Sequence, residues 1–253
     1  MPVAPDDRDT AHPLASPPLP KPWPIGASLL WTLAATALQY VTVIMVVIAW
    51  GMLSGDIEGL RAVTPISPLV WFASILATPF QVALLAMIVR RRGGLVRYCS
   101  LTVPDRRSVL IGGAAVAILV PLLDLATYAL GRDVVPPFII DAYRAARIAG
   151  ALPVLIIAVA IAAPLWEELL FRGFLFRSFA ARGPYGAVVF TSLIWAAMHV
   201  QYDWFGVMQV FIIGLVLGWL RLRSGSSLLT IPLHMAANLI ALAETAAKLE
   251  WLS

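Results

Sequence analysis

Long stretches of this chain carry no charge at all, and that constrains its fold more than any other feature. Asp, Glu, Lys and Arg are absent from 22–55, 62–89, 148–166, 183–202, 204–220 and 224–243, and a seventh stretch, 108–131, holds only Asp124. About 20 apolar residues, rising 1.5 Å each, cross the ~30 Å hydrocarbon core of a bilayer. Most of the runs reach that length. The 148–166 run must continue past its carboxylates to about residue 178, and the short 204–220 run is the weakest candidate. The expected fold is all-α, a polytopic transmembrane helix bundle of about seven spans.

Composition excludes the alternatives. Only 13% of the 253 residues are charged, against roughly 25% in an average soluble domain, too few to cover a water-soluble globule. A disulfide scaffold is excluded because Cys99 is the one cysteine. The net charge of +4 comes from cations at the ends of apolar runs, not from a patch, so a nucleic-acid partner is not expected.

Those cations also set an orientation. Arg90, Arg91, Arg92, Arg97, Arg106 and Arg107 lie between the second and third runs and mark that connection as cytoplasmic. Alternating from there gives an N-in, C-out topology with 12 cations inside and 5 outside, Arg172 lying within a span. Residues 1–26 hold eight of the 19 prolines and read as a disordered cytoplasmic tail. They are not expected to be a signal peptide, because the first apolar run starts late and is too long. Residues 27–130 then supply three transmembrane helices. Residues 134–150 form an external amphipathic segment, lying on the membrane or packed as a connector. Residues 150–247 supply a four-helix region. Gly214 and Gly218 make a G-x-x-x-G step that serves close helix packing.

An ionisable group in a span costs ~2.5–3.5 kcal/mol even on insertion scales and usually faces the bundle interior. Here the set is Asp124, Glu167, Glu168, Arg172, His199 and His234, with Asn238 as a notable amide. Glu168 and Arg172 are four apart, where helical side chains meet and can pair. Glu167 is rotated about 100° from them and is free for another partner. A salt-bridge knot joining helices would need only one of the two acids. His234 and Asn238, also four apart, share a face. At 1.5 Å per residue Glu167 is about 15 Å from Arg177, His199 about 22 Å from Pro184, His234 about 12 Å and Asn238 about 18 Å from Ser226. These depths let all four meet near mid-membrane. Asp124 falls close to the outer face, roughly 24 Å up its span, where hydration explains it.

Glu-Glu-x-x-x-Arg, an aromatic-x-x-x-His and His-x-x-x-Asn, in that order, resemble the CPBP family (CAAX protease and bacteriocin-processing, also called Abi), which includes the type II CAAX prenyl endopeptidases. In this chain the motifs are Glu167-Glu168 with Arg172, Trp195 with His199, and His234 with Asn238. The resemblance covers 150–245. The second motif usually begins with Phe where this chain has Trp195, a change expected to alter packing more than chemistry. The resemblance implies intramembrane proteolysis, with Glu167 as general base and His199 helping to hold the water. His234 and Asn238 would stabilise the oxyanion, and Glu168 and Arg172 would form a supporting ion pair. Activated water and oxyanion donors are what peptide hydrolysis requires.

A zinc-dependent version would use Glu167, His199 and His234 as ligands, two histidines and a carboxylate being a common catalytic zinc set. No His-Glu-x-x-His is present, and Glu168 would then have to act as base while tied to Arg172, so a cofactor-free glutamate mechanism is favoured. Two other classes stay open. One is a non-catalytic scaffold or bacteriocin-immunity protein; the other is a transporter, which would prefer inverted repeats and broken helices in both halves. The expected substrate is a membrane-embedded or lipid-anchored peptide. The Ala-, Arg- and Pro-rich composition points to a bacterium and its inner (cytoplasmic) membrane.

Overall fold

The computed structural model describes residues 19–250, and all regular structure among them is helical. Four helices come first: α1 (Ile25–Ser54), α2 (Ile57–Arg61), α3 (Pro68–Val89, continued by a 3-10 turn Arg90–Arg92) and α4 (Gly94–Tyr98). They are followed by α5 (Arg106–Ala129), α6 (Pro137–Ile148), α7 (Leu152–Ala180), α8 (Pro184–Ala197), α9 (Trp204–Ser224) and α10 (Ser227–Glu250). Six of these, α1, α3, α5, α7, α9 and α10, are long and apolar enough to cross a membrane. The remaining apolar run, 183–202, becomes α8, only 14 residues, or about 21 Å of helix, followed by a turn through 198–203. The 204–220 run, the weakest candidate by length, sits inside the 21-residue α9.

Contacts at the two ends of the bundle show how the chain alternates. At one end Arg177 Nε donates to the Tyr98 carbonyl at 2.5 Å, Ser227 N to the Ser100 carbonyl at 3.0 Å and Arg92 Nη1 to the Pro22 carbonyl at 2.8 Å. These bonds gather the start of α1, the α3–α5 connection, the end of α7 and the α9–α10 turn. At the other end Arg132 pairs with Asp203, Lys248 Nζ with Asp133 at 2.5 Å, and Tyr143 Oη donates to Glu250 at 2.7 Å. The caps follow from the sequence. Asp105 and Asp203 each accept from a backbone N–H three residues on, at 2.8 Å, satisfying one orphan donor of α5 and α9.

Residues 1–18 of the expected tail lie outside the described residues, and the segment after them is not loose. Prolines leave carbonyls without helical partners, and buried or half-buried arginines take them: Arg177 reaches the Pro20 carbonyl at 3.2 Å and Arg92 that of Lys21 at 3.2 Å. The 134–150 segment contains α6, which buries Ile139, Ile140, Ala142, Tyr143 and Ala146 in a core shared with Trp71 and Leu242. Its apolar face is therefore packed inside the bundle.

Helix α7 is central. Of its most apolar stretch 56% is buried, against 11% for α1 and α5, which leave their sides to lipid. Two π-helical stretches interrupt it, Ala158–Ala162 and Glu168–Leu175; such wide turns often mark functional sites. Against α7 pack α8 and α9, and the glycine step sets their separation. A Cβ on Gly214 would fall 2.9 Å from Ser192 Cβ and 3.1 Å from the Trp195 ring; one on Gly218 would fall 3.1 Å from Val188. Arg177 and Arg221 are buried ties, Arg221 Nε donating to the Arg172 carbonyl at 3.0 Å.

Candidate active site

The first motif straddles the start of the second π stretch, with Glu167 closing an α-helical turn and Glu168 opening the wide one. The two acids part company there. Glu168 and Arg172 are fully buried and bonded at 2.9 Å between Oε1 and Nη1. Arg172 also donates to the Gly214 carbonyl at 3.3 Å and lies 4.4 Å above the Trp195 ring. The Gly214 carbonyl is in reach because the glycine lets α9 approach this closely. Glu167 keeps 23% of its side chain accessible and faces a cavity.

His234 stands between them. Its Nδ1 is 3.0 Å from Glu168 Oε1 and its Nε2 is 4.0 Å from Glu167 Oε2. The first is a hydrogen bond; the second is too long for one. The ring is thus oriented from behind by a buried carboxylate and presents its other nitrogen towards Glu167. Trp195 joins the group from α8: its indole N–H donates to Glu167 Oε2 at 2.6 Å, and its ring meets those of His199 and His234 edge-on at 5.0 and 5.1 Å. The sequence reading gave this tryptophan a packing role. It is instead the direct hydrogen-bond partner of the candidate base, which a phenylalanine could not be.

His199 follows α8 rather than lying within it. α8 ends at Ala197, and His199 occupies the following turn, Nδ1 2.9 Å from the Trp195 carbonyl and its ring stacked on Tyr202 at 5.9 Å. Asn238 is one turn beyond His234 on α10 and donates to the Val159 carbonyl, in the first π stretch, at 2.8 Å. Glu167, His199, His234 and Asn238 all line one cavity of about 430 Å³. Asp124 lines it too, hydrogen-bonded to Glu244 of α10. Asp124 was assigned to interfacial water and Glu244 was missed. Asn238, Ala241 and Glu244 recur every three residues and line the cavity together, so helical spacing could have found the second acid.

The zinc alternative would draw on the same residues. Among the described residues no three His, Cys, Asp or Glu side chains converge as a metal ion requires. Glu167 and His234 approach each other; His234 Nδ1 faces Glu168 and His199 Nδ1 a backbone carbonyl, which leaves Nε2 of each ring as the nitrogen a metal would take.

Comparison with known proteins bears on the same region. No solved structure matches the chain. An uncharacterized 24.3 kDa protein of Escherichia coli is 38% identical over 92 residues, which are 34% of this chain and 42% of that protein. The chain thus spans less than half the length of the curated relative it matches. The family model that matches is the type II CAAX prenyl endopeptidase Rce1-like one, over residues 149–240, from the start of α7 to just past Asn238. That match falls in the C-terminal region of a chain whose described residues include six helices long and apolar enough to cross a membrane, and makes residues 149–240 similar to an Rce1-like CAAX prenyl endopeptidase domain.

Proposed function

We propose that this chain is an intramembrane endopeptidase that hydrolyses a peptide bond in a membrane-embedded or lipid-anchored substrate, with Glu167 as general base. The observation that carries the reading is the unequal fate of two adjacent acids. Glu168 is sealed in an ion pair, while Glu167 opens on a cavity it shares with His199, His234 and Asn238. A base must reach the proton it takes, and Glu167 alone of the two has access. The 4.0 Å between Glu167 Oε2 and His234 Nε2 leaves both groups free to close on a third oxygen. Glu167 takes a proton from an attacking water there, and returns it to the leaving amine as the tetrahedral intermediate collapses. His234 donates Nδ1–H to Glu168 and, in its doubly protonated form, offers Nε2–H to the developing oxyanion, while Asn238 offers its remaining amide hydrogen. His199 helps to hold the water, Trp195 fixes the Glu167 carboxylate, and the Glu168–Arg172 pair supports both. The same reading places the chain in a bacterial inner membrane, N-terminus inside and α8 counted as a crossing.

Comparative mass spectrometry of membrane-protein C-termini, from cells carrying wild type or Glu167→Gln, tests the proposal. Shortened termini should be present with the wild type and absent with the variant. Identical termini in both strains, at equal protein levels, would sink the protease reading.

A further inference from the structure

Where α1 begins and α3 ends, at the end of the bundle remote from Asp203 and Glu250, a cavity of about 910 Å³ opens. Its polar side is formed by Lys21, Arg90, Arg91 and Arg92, and its apolar side by Trp31 and Met87 among others. The 3-10 turn fans the three arginines out, and Gly93 and Gly94 follow it at φ +94° and +74°, a left-handed course that suits glycine. Arg92 is used internally: it stacks 4.0 Å over Trp23 and holds two carbonyls of the N-terminal segment. Arg90, Arg91 and Lys21 are exposed, and no carboxylate lines the cavity among the described residues. Asp105, the carboxylate in the nearby α3–α5 connection, is occupied by Ser108, whose N–H and hydroxyl both donate to it. Three cations with no carboxylate partner among the described residues, above an apolar wall and beside an interfacial tryptophan, call for a ligand with a negative head and a hydrocarbon body.

We infer that this cavity binds the headgroup of an anionic phospholipid, with phosphate oxygens on Arg90, Arg91 and Lys21 and the acyl chains along Trp31 and Met87. The site does not depend on the proteolytic reading, since no candidate catalytic residue lines it. Each cation near an anionic headgroup strengthens binding about fivefold, so losing two should cost roughly thirtyfold. The experiment uses the full chain purified in detergent, titrated with dioleoylphosphatidylglycerol and read by native mass spectrometry, with melting temperature as the folding check. Arg90→Gln/Arg91→Gln should lose that lipid roughly thirtyfold. Lys21→Gln alone, the milder variant, should lose about fivefold. Arg106→Gln/Arg107→Gln removes the same charge from the same end and should change little. Dioleoylphosphatidylcholine should bind weakly to all four proteins, and millimolar inorganic phosphate should not displace the lipid. Equal retention by wild type and Arg90→Gln/Arg91→Gln, or equal loss in the Arg106/Arg107 pair, would overturn the site. Displacement by inorganic phosphate would make it a free-phosphate site. Lipid binding seen only after Asp6→Asn/Asp7→Asn/Asp9→Asn would show that the chain's own acidic N-terminal segment fills it.

Discussion

Arg172→Ala should destabilise the protein while Glu167→Gln should silence it, and the structure sets the size of each effect. Arg172 is fully buried and gives Glu168 its ion pair at 2.9 Å, the Gly214 carbonyl a hydrogen bond at 3.3 Å, and the Trp195 ring a cation 4.4 Å away. Its removal leaves Glu168, also fully buried, with His234 as its one charged or chargeable contact. Breaking a buried pair by deleting one partner costs ~3–5 kcal/mol, or about 6–20 °C of melting temperature at this chain length. Glu167 accepts the Trp195 indole at 2.6 Å, stands 4.0 Å from His234 Nε2 and has 23% of its side chain accessible. Glutamine keeps an oxygen for that indole, so Glu167→Gln should melt within about 2–4 °C of wild type and yield no cleavage product. Glu168→Gln/Arg172→Gln removes both charges together and should recover part of what Arg172→Ala loses. The assay is thermal unfolding in detergent beside C-terminal proteomics of the same cells. An unfolded Glu167→Gln beside an Arg172→Ala that melts like wild type would reverse the assigned roles.

Further outcomes follow from the same geometry. Trp195→Phe keeps the ring but loses the donor to Glu167; at ~1.5–3 kcal/mol for a bond to a charged group, turnover should fall roughly tenfold to a hundredfold with KM unchanged. Gly214→Ala, whose Cβ would sit 3.1 Å from the Trp195 ring, should lower both turnover and melting temperature, the latter checked in detergent. The glutamate mechanism expects full cleavage after exhaustive chelation and far less than one zinc per chain by elemental analysis; loss with rescue by zinc would make Glu167, His199 and His234 ligands. Cys99 is buried, which pushes its thiol up to about 12 despite the opposing Arg177 and Arg221. Maleimide at pH 8 should therefore label it only after unfolding, as read by intact mass.

The spans were legible because hydrocarbon tolerates so few charges that their absence over 20 residues leaves few other readings. The Glu168–Arg172 pair was legible for a similar reason: spacing of four on a helix is a local property, and it survives even in the wider π turn that holds both residues. What lay hidden depends on neighbours far along the chain. That His234 turns Nδ1 to Glu168 is decided by how α10 packs on α7, 66 residues away. The end of α8 before His199 belongs to the turn that lets Asp203 cap α9, and an apolar run does not announce it. Trp195 shows the limit most clearly. As an apolar ring it is interchangeable with phenylalanine in any pattern of hydrophobicity. Its N–H acquires meaning only because the Gly214 approach holds the ring beside α7, at the one place where a carboxylate is left unpaired by its own helix. A buried indole N–H needs an acceptor, and Glu167 needs something to fix it without neutralising it. A neutral donor meets both demands, where a cation would have made a second ion pair and left the site without a base.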